Sequence, residues 1–465
     1  MWPALLALLV TGAGAGRAEP WRDELATWSA ASRPMADLIR MVGHIDAVTA
    51  PYYLFMHAWL RVAGDSPTAM RLPSILCAAG TAGLTAVLGR RLFDGRVGLV
   101  AGLLFAVLPA TSRYAQEARP YAFATLFAVV ATLLLVLAVD RPGGRRWAAY
   151  GAALLGLALT SLLATTLVVG HAVGVSTTGR RALPGWAVTV LAVVVLASPL
   201  AVLGLRQRGQ QLGWLDQASV GGLPGLPGSV FGAPAVGGLL VGLAALGWAS
   251  RGRSATLLAA SVLGPLVLLF VAGRFTPLFA PRYLVFTAPL LCLLAAAAIA
   301  PARLPAALSI VAVAAFLGAP AQRDLRRTHE WPRSEPRGYA AAARVVGAHG
   351  QPGDGVVYPV RDDWSFLDTA ITYHLGARAP RDVLCARSAA RRGSLWATEC
   401  AVPSRCLAGV DRIWVLAVGQ PADPLRPMPP AKAAAVRDGY AVTGTWSVPD
   451  ITVWLLTRRD GVSPS

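Results

Sequence analysis

The sequence predicts an all-α polytopic membrane domain over residues 1–321, followed by a small α/β domain over 322–465. Three observations carry this expectation. Hydrophobic residues make up 55% of the 465 and charged residues only 14%, with a mean hydropathy of +0.54, whereas an ordinary water-soluble domain carries about 25% charged residues. The apolar residues gather into runs of the length a bilayer core of about 30 Å demands, roughly 20 residues per helix. Beyond residue 321 those runs stop, and short stretches of helical and strand-like periodicity replace them.

Eleven spans are expected, near residues 2–16, 68–89, 97–113, 118–139, 147–162, 164–178, 184–204, 233–249, 254–272, 283–300 and 304–320. With the N-terminus cytoplasmic, the inner connections are "GRRLFDGR" (89–96), "DRPGGRR" (140–146), "TGRR" (178–181), "SRGR" (250–253) and "PARLP" (301–305). Each is short and net positive, as the positive-inside rule requires. The acids of the other side include Asp23, Glu24, Asp37, Asp46, Asp65, Glu117 and Asp216, while only Asp94 and Asp140 fall within. The stretch 147–178 is split at "TSLLATT", because a single crossing would place Arg180 and Arg181 outside and reverse every later helix.

The first segment has two readings. "LLALLVTGAGAG" has the length of a signal-peptide core followed by small residues, but no basic region precedes it, which favours a retained helix. In both cases the first outer loop, 17–67, lies beyond the membrane. It holds two amphipathic stretches, "PMADLIRMVGHID" and "APYYLFMHAWLRVAG", expected to lie along the membrane surface.

Odd helix parity puts the 322–465 domain outside the cytoplasm, on a multi-pass protein of the cell membrane. Its expected helices are "RGYAAAARVVGAHG", "DTAITYHL" and "AKAAAVRDGY", and its expected strands are "GVVYPV", "RIWVLAV" and "ITVWLLT". Cys385, Cys400 and Cys406 lie there, and an exported domain permits a disulfide, for which Cys400 with Cys406 is the closest pair. Sequence alone leaves a bond and buried free thiols both open.

Composition also excludes. The formal charge of +18 is almost all arginine, lysine occurring once at Lys432, and the arginines are scattered at the ends of apolar runs. No basic tract is interleaved with aromatics, which argues against nucleic acid as a partner. There is no phosphate-binding loop, HExxH, CxxC or nucleophile elbow. No cofactor is implied, and no ligand spacing supports a divalent metal.

What remains is a set of polar residues on one side of the membrane. "EPWRDELATW" (19–28) places Asp23 and Glu24 after the first segment. "SRYAQEARPY" (112–121) carries Glu117 and Arg119 at the end of the third span, and "RFTPLFAPRY" (274–283) carries Arg282 and Tyr283 before the tenth. Asp46, His57 and Arg71 join them as candidates lining a cavity, and Tyr52 and Tyr53 read as interfacial aromatics.

These elements, in the order "RDE", "DAVTAPYYLFMHAW" (46–59), "RLPS" (71–74), "QEARPYA" (116–122) and "PRYLVFTAPLL" (281–291), resemble the GT-C superfamily of polyprenyl-phosphate-sugar-dependent glycosyltransferases. The resemblance is to the branch related to protein O-mannosyltransferases, and most to actinobacterial mannosyltransferases. Where many relatives carry His-Pro-Pro before the paired tyrosines, this chain has Thr49-Ala50-Pro51. The departure bears on the donor sugar more than on the reaction class.

The resemblance implies a membrane enzyme that moves a sugar, mannose in many relatives, from a polyprenyl-phosphate donor to an envelope glycan, lipid or protein by inverting displacement. Asp23 matches the catalytic acid, with Glu24 beside it. A phosphate ester leaves without being protonated, so such an enzyme needs one base for the acceptor hydroxyl and cations for the departing phosphate. Arg119 and Arg282 are the candidates for that phosphate, since arginine offers its oxygens a two-pronged donor. The bland readings are a solvated loop acid for Asp23, a helix N-terminal acid for Glu24, interfacial anchors for Arg119 and Arg282, an ion-pair partner of Arg119 for Glu117, and a packed histidine for His57. A transporter or flippase of a lipid-linked precursor would use the same charges without chemistry, but should carry ionisable groups near the bilayer midplane. A structural scaffold for envelope assembly would have no cavity behind the charges.

Overall fold

The computed structural model describes residues 1–212, 215–250, 252–299, 302–327 and 338–459. Arg251 and Pro301, in two of the expected inner connections, lie outside the described residues. The chain divides into two compact units, Met1–Ala18 with the described part of Asp46–Trp331, and Glu19–Ile45 with the described part of Pro332–Ser465.

The helices run α1 (Trp2–Gly12), α2 (Arg22–Ala31), α3 (Met35–His44), α4 (Ala50–Ala63), α5 (Pro67–Leu92), α6 (Gly95–Val107), α7 (Pro109–Ala115), α8 (Tyr121–Asp140), α9 (Gly144–Thr160), α10 (Leu167–Thr178), α11 (Leu183–Leu212), α12 (Leu226–Phe231), α13 (Pro234–Ser250), α14 (Gly252–Phe275), α15 (Ala288–Ile299) and α16 (Leu304–Arg327). All but α2 and α3 belong to the first unit. Each of the eleven expected spans falls mainly on helix, although residues 13–16 and 118–120 are turns and residue 300 lies outside the described residues. By length and composition, six of the described helices can cross a membrane: Pro67–Leu92, Tyr121–Asp140, Arg180–Gly209, Gly252–Phe275, Pro281–Ile299 and Leu304–Arg326. Two bent pairs raise this to eight. The remaining expected spans are short, with 11, 17 and 12 residues in α1, α9 and α10.

The expected span 97–113 is one of the bent pairs. Pro109 has no N–H to continue a helix and forces Leu108 into extended backbone (ψ 135°), so α6 and α7 meet at 64°. Side-chain caps start the neighbouring helices: Ser66 Oγ accepts from the Ala69 N–H, and Asp94 Oδ1 from those of Arg96 and Val97. Small residues then let helices approach closely. A Cβ on Gly98 would sit 2.2 Å from the Ala86 carbonyl oxygen of α5, and one on Gly247 only 1.9 Å from that of Leu294 in α15. Buried His171 of α10 is satisfied on both nitrogens, by Thr132 Oγ1 at 3.1 Å and Tyr150 Oη at 3.0 Å, which ties α8, α9 and α10 together.

The second unit continues with α17 (Tyr339–His349), β1 (Gly355–Val357), α18 (Leu367–Leu375), β2 (Arg381–Asp382), β3 (Cys385–Arg387), α19 (Ala389–Arg392), β4 (Thr398–Glu399), α20 (Pro403–Cys406), β5 (Arg412–Val418), α21 (Pro430–Gly439), β6 (Tyr440–Val448) and β7 (Ile451–Arg458). Its main sheet has the order β2-β1-β5-β7-β6, with β1 parallel to both neighbours and β5, β7 and β6 antiparallel. Val357, Ile413, Val415, Val436 and Trp454 fill the core between sheet and helices. The three expected helices and three expected strands are present. β2, β6 and the β3–β4 pair are additional, and Cys400 and Cys406 are joined in a disulfide.

Within this unit α2 and α3 pack on the later chain. Trp28 meets Tyr373 of α18 edge to face at 5.1 Å, and Arg33 Nη1 donates to the Ser394 carbonyl at 2.7 Å. Leu38 and Met41 of α3 are fully buried, and α3 packs on α19. The apolar stripe of "PMADLIRMVGHID" therefore has a protein partner, not only the membrane surface expected for it.

Candidate active site

The polar residues singled out in the sequence fall into both units. In the first unit, the bend at Pro109 turns "SRYAQEARPY" back across the end of α1. Gln116 Nε2 donates to the carbonyls of Thr11 and Ala13 at 2.7 and 3.0 Å, and Ser74 Oγ donates to the Glu117 carbonyl at 2.9 Å. Arg71 is fully buried and spends one nitrogen on the carbonyls of Ala15 and Ala18, at 2.6 and 2.8 Å. It satisfies backbone acceptors past the end of α1 that no helical N–H reaches.

Around this frame sit two groups of side chains. In the first, Asp46 adopts left-handed backbone (φ 60°), accepts from Thr49 Oγ1 at 2.8 Å, and accepts from the Tyr53 hydroxyl. Tyr53 is fully buried, and Tyr52 is 3% exposed, so neither is the interfacial aromatic expected. Burial first, and then the Asp46 charge, hold the Tyr53 hydroxyl far above its usual pKa, while Arg119 hydrogen-bonds it and pulls the other way. In the second group, Arg113 Nε donates to Glu117 Oε1 at 3.0 Å, and the Glu117 side chain is 1% exposed. Arg113 and Arg282 lie over the rings of Tyr114 and Tyr283, at 5.1 and 5.5 Å. Arg282 also acts electrostatically on Tyr114, whose ring meets Tyr121 edge to face at 5.2 Å. Arg119 is thus half-buried beside the Tyr53 hydroxyl, and Arg282, also half-buried, lies over the Tyr283 ring and acts on Tyr114. His57 is buried on α4.

In the second unit, Asp23 and Glu24 occupy the first turn of α2, where the helix dipole favours negative charge. Glu24 is fully buried and accepts from the Trp21 N–H at 3.4 Å, a capping role. Asp23 keeps a side chain 16% exposed, with Arg22 Nε at 3.9 Å. The hydroxyl of buried Tyr339 lies in the field of Arg22, Asp363, Glu19 and Asp23 and donates to the Ser365 carbonyl. Glu19 accepts from the Ala340 N–H, and burial lifts its pKa to about 7. His374, 3.6 Å away, is pushed down to about 4 by burial and by Arg344.

The sequence reading missed Arg113, Tyr114, Tyr339 and Glu19. Arg113 and Glu117 stand four residues apart in a helix-prone stretch, a spacing at which opposite charges pair, so that pair was available. Among the described residues no group of three or more His, Cys, Asp or Glu is placed to hold a metal ion.

Residues 49–204 match the family model described as dolichyl-phosphate-mannose-protein mannosyltransferase. No curated protein matches the chain. Among solved structures, ArnT from Cupriavidus metallidurans bound to undecaprenyl phosphate superposes with a TM-score of 0.66 at 13% identity, over 98% of this chain and 97% of that one. The apo form of the same protein gives 0.64, with the same identity and coverage. The fold is therefore similar to that of ArnT, and the family match falls on the stretch carrying Tyr53, Arg71, Glu117 and Arg119. Fold and family match point the same way: residues 49–204 are similar to a mannosyltransferase family model, and the fold is similar to that of a membrane protein solved with undecaprenyl phosphate.

Proposed function

We propose that the chain transfers a sugar, mannose in the first instance, from a polyprenyl-phosphate donor to an acceptor outside the cytoplasm. One observation carries the donor: the membrane unit holds two half-buried arginines against tyrosines, Arg119 beside Tyr53 and Arg282 over Tyr283, in a fold similar to that of a protein solved bound to undecaprenyl phosphate. Guanidinium groups already held by tyrosine partners lose little freedom on gripping phosphate oxygens. The donor's lipid tail stays in the bilayer.

The reaction is a single displacement. An acceptor hydroxyl attacks the anomeric carbon, a new C–O bond forms there, and the bond from that carbon to the phosphate oxygen breaks. The phosphate leaves with the electron pair, held by Arg119 and Arg282, and the hydroxyl proton passes to Asp23. Glu24, buried under the first turn of α2, caps the helix that presents Asp23. Asp46 holds Tyr53, and Tyr53 holds Arg119. The mannose assignment rests on the family model alone.

The test incubates purified protein with labelled polyprenyl-phosphate sugars and a panel of envelope acceptors. Transfer from the mannosyl donor is expected. Flipping of donors across a vesicle membrane without transfer would replace this reading with that of a transporter. The proposal also places residues 322–465 outside the cytoplasm, so a reporter fused after Ser465 that is active only in the cytoplasm would overturn the topology.

A further inference from the structure

The second unit contains a cleft of about 580 Å³, lined by Val360, Arg361, Asp362, Arg392, Glu399 and Lys432 together with the turn 427–429. That volume lies within the ~300–1,000 Å³ of ordinary small-molecule sites. The charges in it are unusual for their burial. Arg361, with a side chain 7% exposed, donates twice to Asp382, at 2.6 and 2.9 Å, and once to Glu399, at 3.1 Å. Lys432, with a side chain 4% exposed, reaches Glu399 at 2.6 Å and the carbonyls of Tyr358 and Pro359 at 2.9 and 3.2 Å. At the rim Arg392 meets Asp362 and the Ala397 carbonyl, both at 3.2 Å. Asp368 also faces Arg361, at 3.4 Å.

Folding alone does not call for such a network. Burying an ion pair costs desolvation that its attraction barely returns, and apolar residues of equal volume serve stability as well. The arrangement does favour one kind of ligand. Each cation of the cleft already faces a carboxylate, so an anion finds no unbalanced positive charge. The carboxylates in excess, Asp368 and Asp382, are held by Arg361 and do not line the cleft, so a cation gains little. A neutral molecule rich in hydroxyls gains most: carboxylate lone pairs accept from it and guanidinium N–H groups donate to it, with fixed geometry and no net charge to desolvate. Val360, 51% exposed, and Met428 beside two prolines supply an apolar edge for the C–H faces of a sugar ring.

We infer that this cleft binds a neutral oligosaccharide stretch of the acceptor, which makes the acceptor a glycan. The inference rests on the glycosyltransferase reading. It assigns to the second unit a saccharide site that needs neither Asp23 nor the donor.

The test uses the full chain in lipid nanodiscs, titrated without donor with mannotetraose, maltotetraose and cellotetraose. A sulfated heparin tetrasaccharide and tetraserine serve as controls. Binding is read by saturation-transfer NMR and by hydrogen-exchange protection of residues 358–362 and 427–432. One neutral tetrasaccharide should bind and protect both stretches, with the sulfated one at least tenfold weaker. Asp362→Asn and Arg392→Ala sit at a rim whose side chains are 62% and 37% exposed, so they should fold normally and each weaken binding by roughly tenfold, as loss of a charged hydrogen bond does. Lys432→Met, scored only if its thermal transition is retained, should weaken it further. The inference is overturned if no neutral tetrasaccharide protects the cleft, if the sulfated sugar or tetraserine binds more tightly, or if the rim variants bind as wild type. Donor cleavage into water is measured alongside: saccharide binding lost with cleavage intact sinks the cleft alone. Binding intact with no Asp23-dependent cleavage sinks the glycosyltransferase reading instead.

Discussion

Asp23→Asn separates chemistry from architecture, because the base role proposed for this carboxylate and its place in the helix differ widely in size. Its structural share is small. It sits in the first turn of α2 with its side chain 16% exposed and Arg22 3.9 Å away, and the Thr27 hydroxyl bonds its backbone carbonyl. Losing the negative charge therefore costs about 0.3–1 kcal/mol of helix-dipole interaction. Asparagine keeps the volume and an acceptor oxygen but cannot take the acceptor's proton. General-base catalysis is worth ~10²- to 10⁴-fold, about 2.7–5.4 kcal/mol in the barrier. The expected outcome is a transfer rate down by that factor, with donor affinity within a factor of a few of wild type and a thermal transition shifted only slightly. Transfer is measured from labelled polyprenyl-phosphate sugar at matched protein, donor affinity by displacement, and folding by melting in detergent. Near wild-type turnover refutes the base assignment. So does a joint collapse of donor binding and folding, which would make Asp23 structural. Glu24→Gln should cost far less, since the Gln oxygen still accepts from the Trp21 N–H.

Arg71→Met removes the donor of the Ala15 and Ala18 carbonyls and should lower stability by roughly 2–6 kcal/mol, at about 1–3 kcal/mol for each orphaned acceptor; a melting curve that does not move would show that water replaces the guanidinium. For Glu19, the folded pKa of about 7 stands above the ordinary 4.5, so the folded state holds its proton while the unfolded chain releases it. Stability is lost as pH rises from about 4.5 to about 7, by up to roughly 3 kcal/mol at ~1.36 kcal/mol per pKa unit. His374, lowered to about 4, acts in the opposite sense, favouring the fold above about 6.5 and losing that share as pH falls. The two shares offset each other between about pH 4.5 and 6.5, so hydrogen exchange of residues 339–349, corrected for its intrinsic pH dependence, should change little there and quicken between about 6.5 and 7; Glu19→Gln should remove that quickening and leave protection that grows with pH up to about 6.5, and a variant with the wild-type pH profile would assign the effect to another group. Replacing Cys400 and Cys406 by alanine opens a loop with a sequence separation of 6, worth about 2 kcal/mol by chain entropy, and should speed exchange around residues 398–407 without touching donor cleavage.

The membrane unit is legible in the sequence because the bilayer imposes one requirement on every crossing, an apolar run long enough to satisfy its own backbone. That requirement says nothing about a kink, and the break at Leu108–Pro109 was legible only through the proline. β6 escaped although Val442, Trp446 and Val448 alternate with Thr443, Thr445 and Ser447, because Gly444 interrupts the pattern and most of its residues are exposed. Its turn, Pro449-Asp450 ahead of "ITVWLLT", was the available signal. The site divides along the same line. Charges could be named from the sequence, since acids and arginines stand out against apolar helices. Their partners could not be, because pairing depends on which helix end meets which turn: Arg113 on Glu117, Arg71 on two carbonyls, Tyr53 between Asp46 and Arg119. The stripe of α3 shows the limit most plainly. Leu38 and Met41 would be placed one turn apart whether the apolar partner were lipid or protein. Apolar residues at helical spacing require that a face be buried and carry no information on what buries it. Only the packing of α3 on α19 and the bond from Arg33 to the Ser394 carbonyl supply that partner, and with it the grouping of Asp23 among side chains of the second unit.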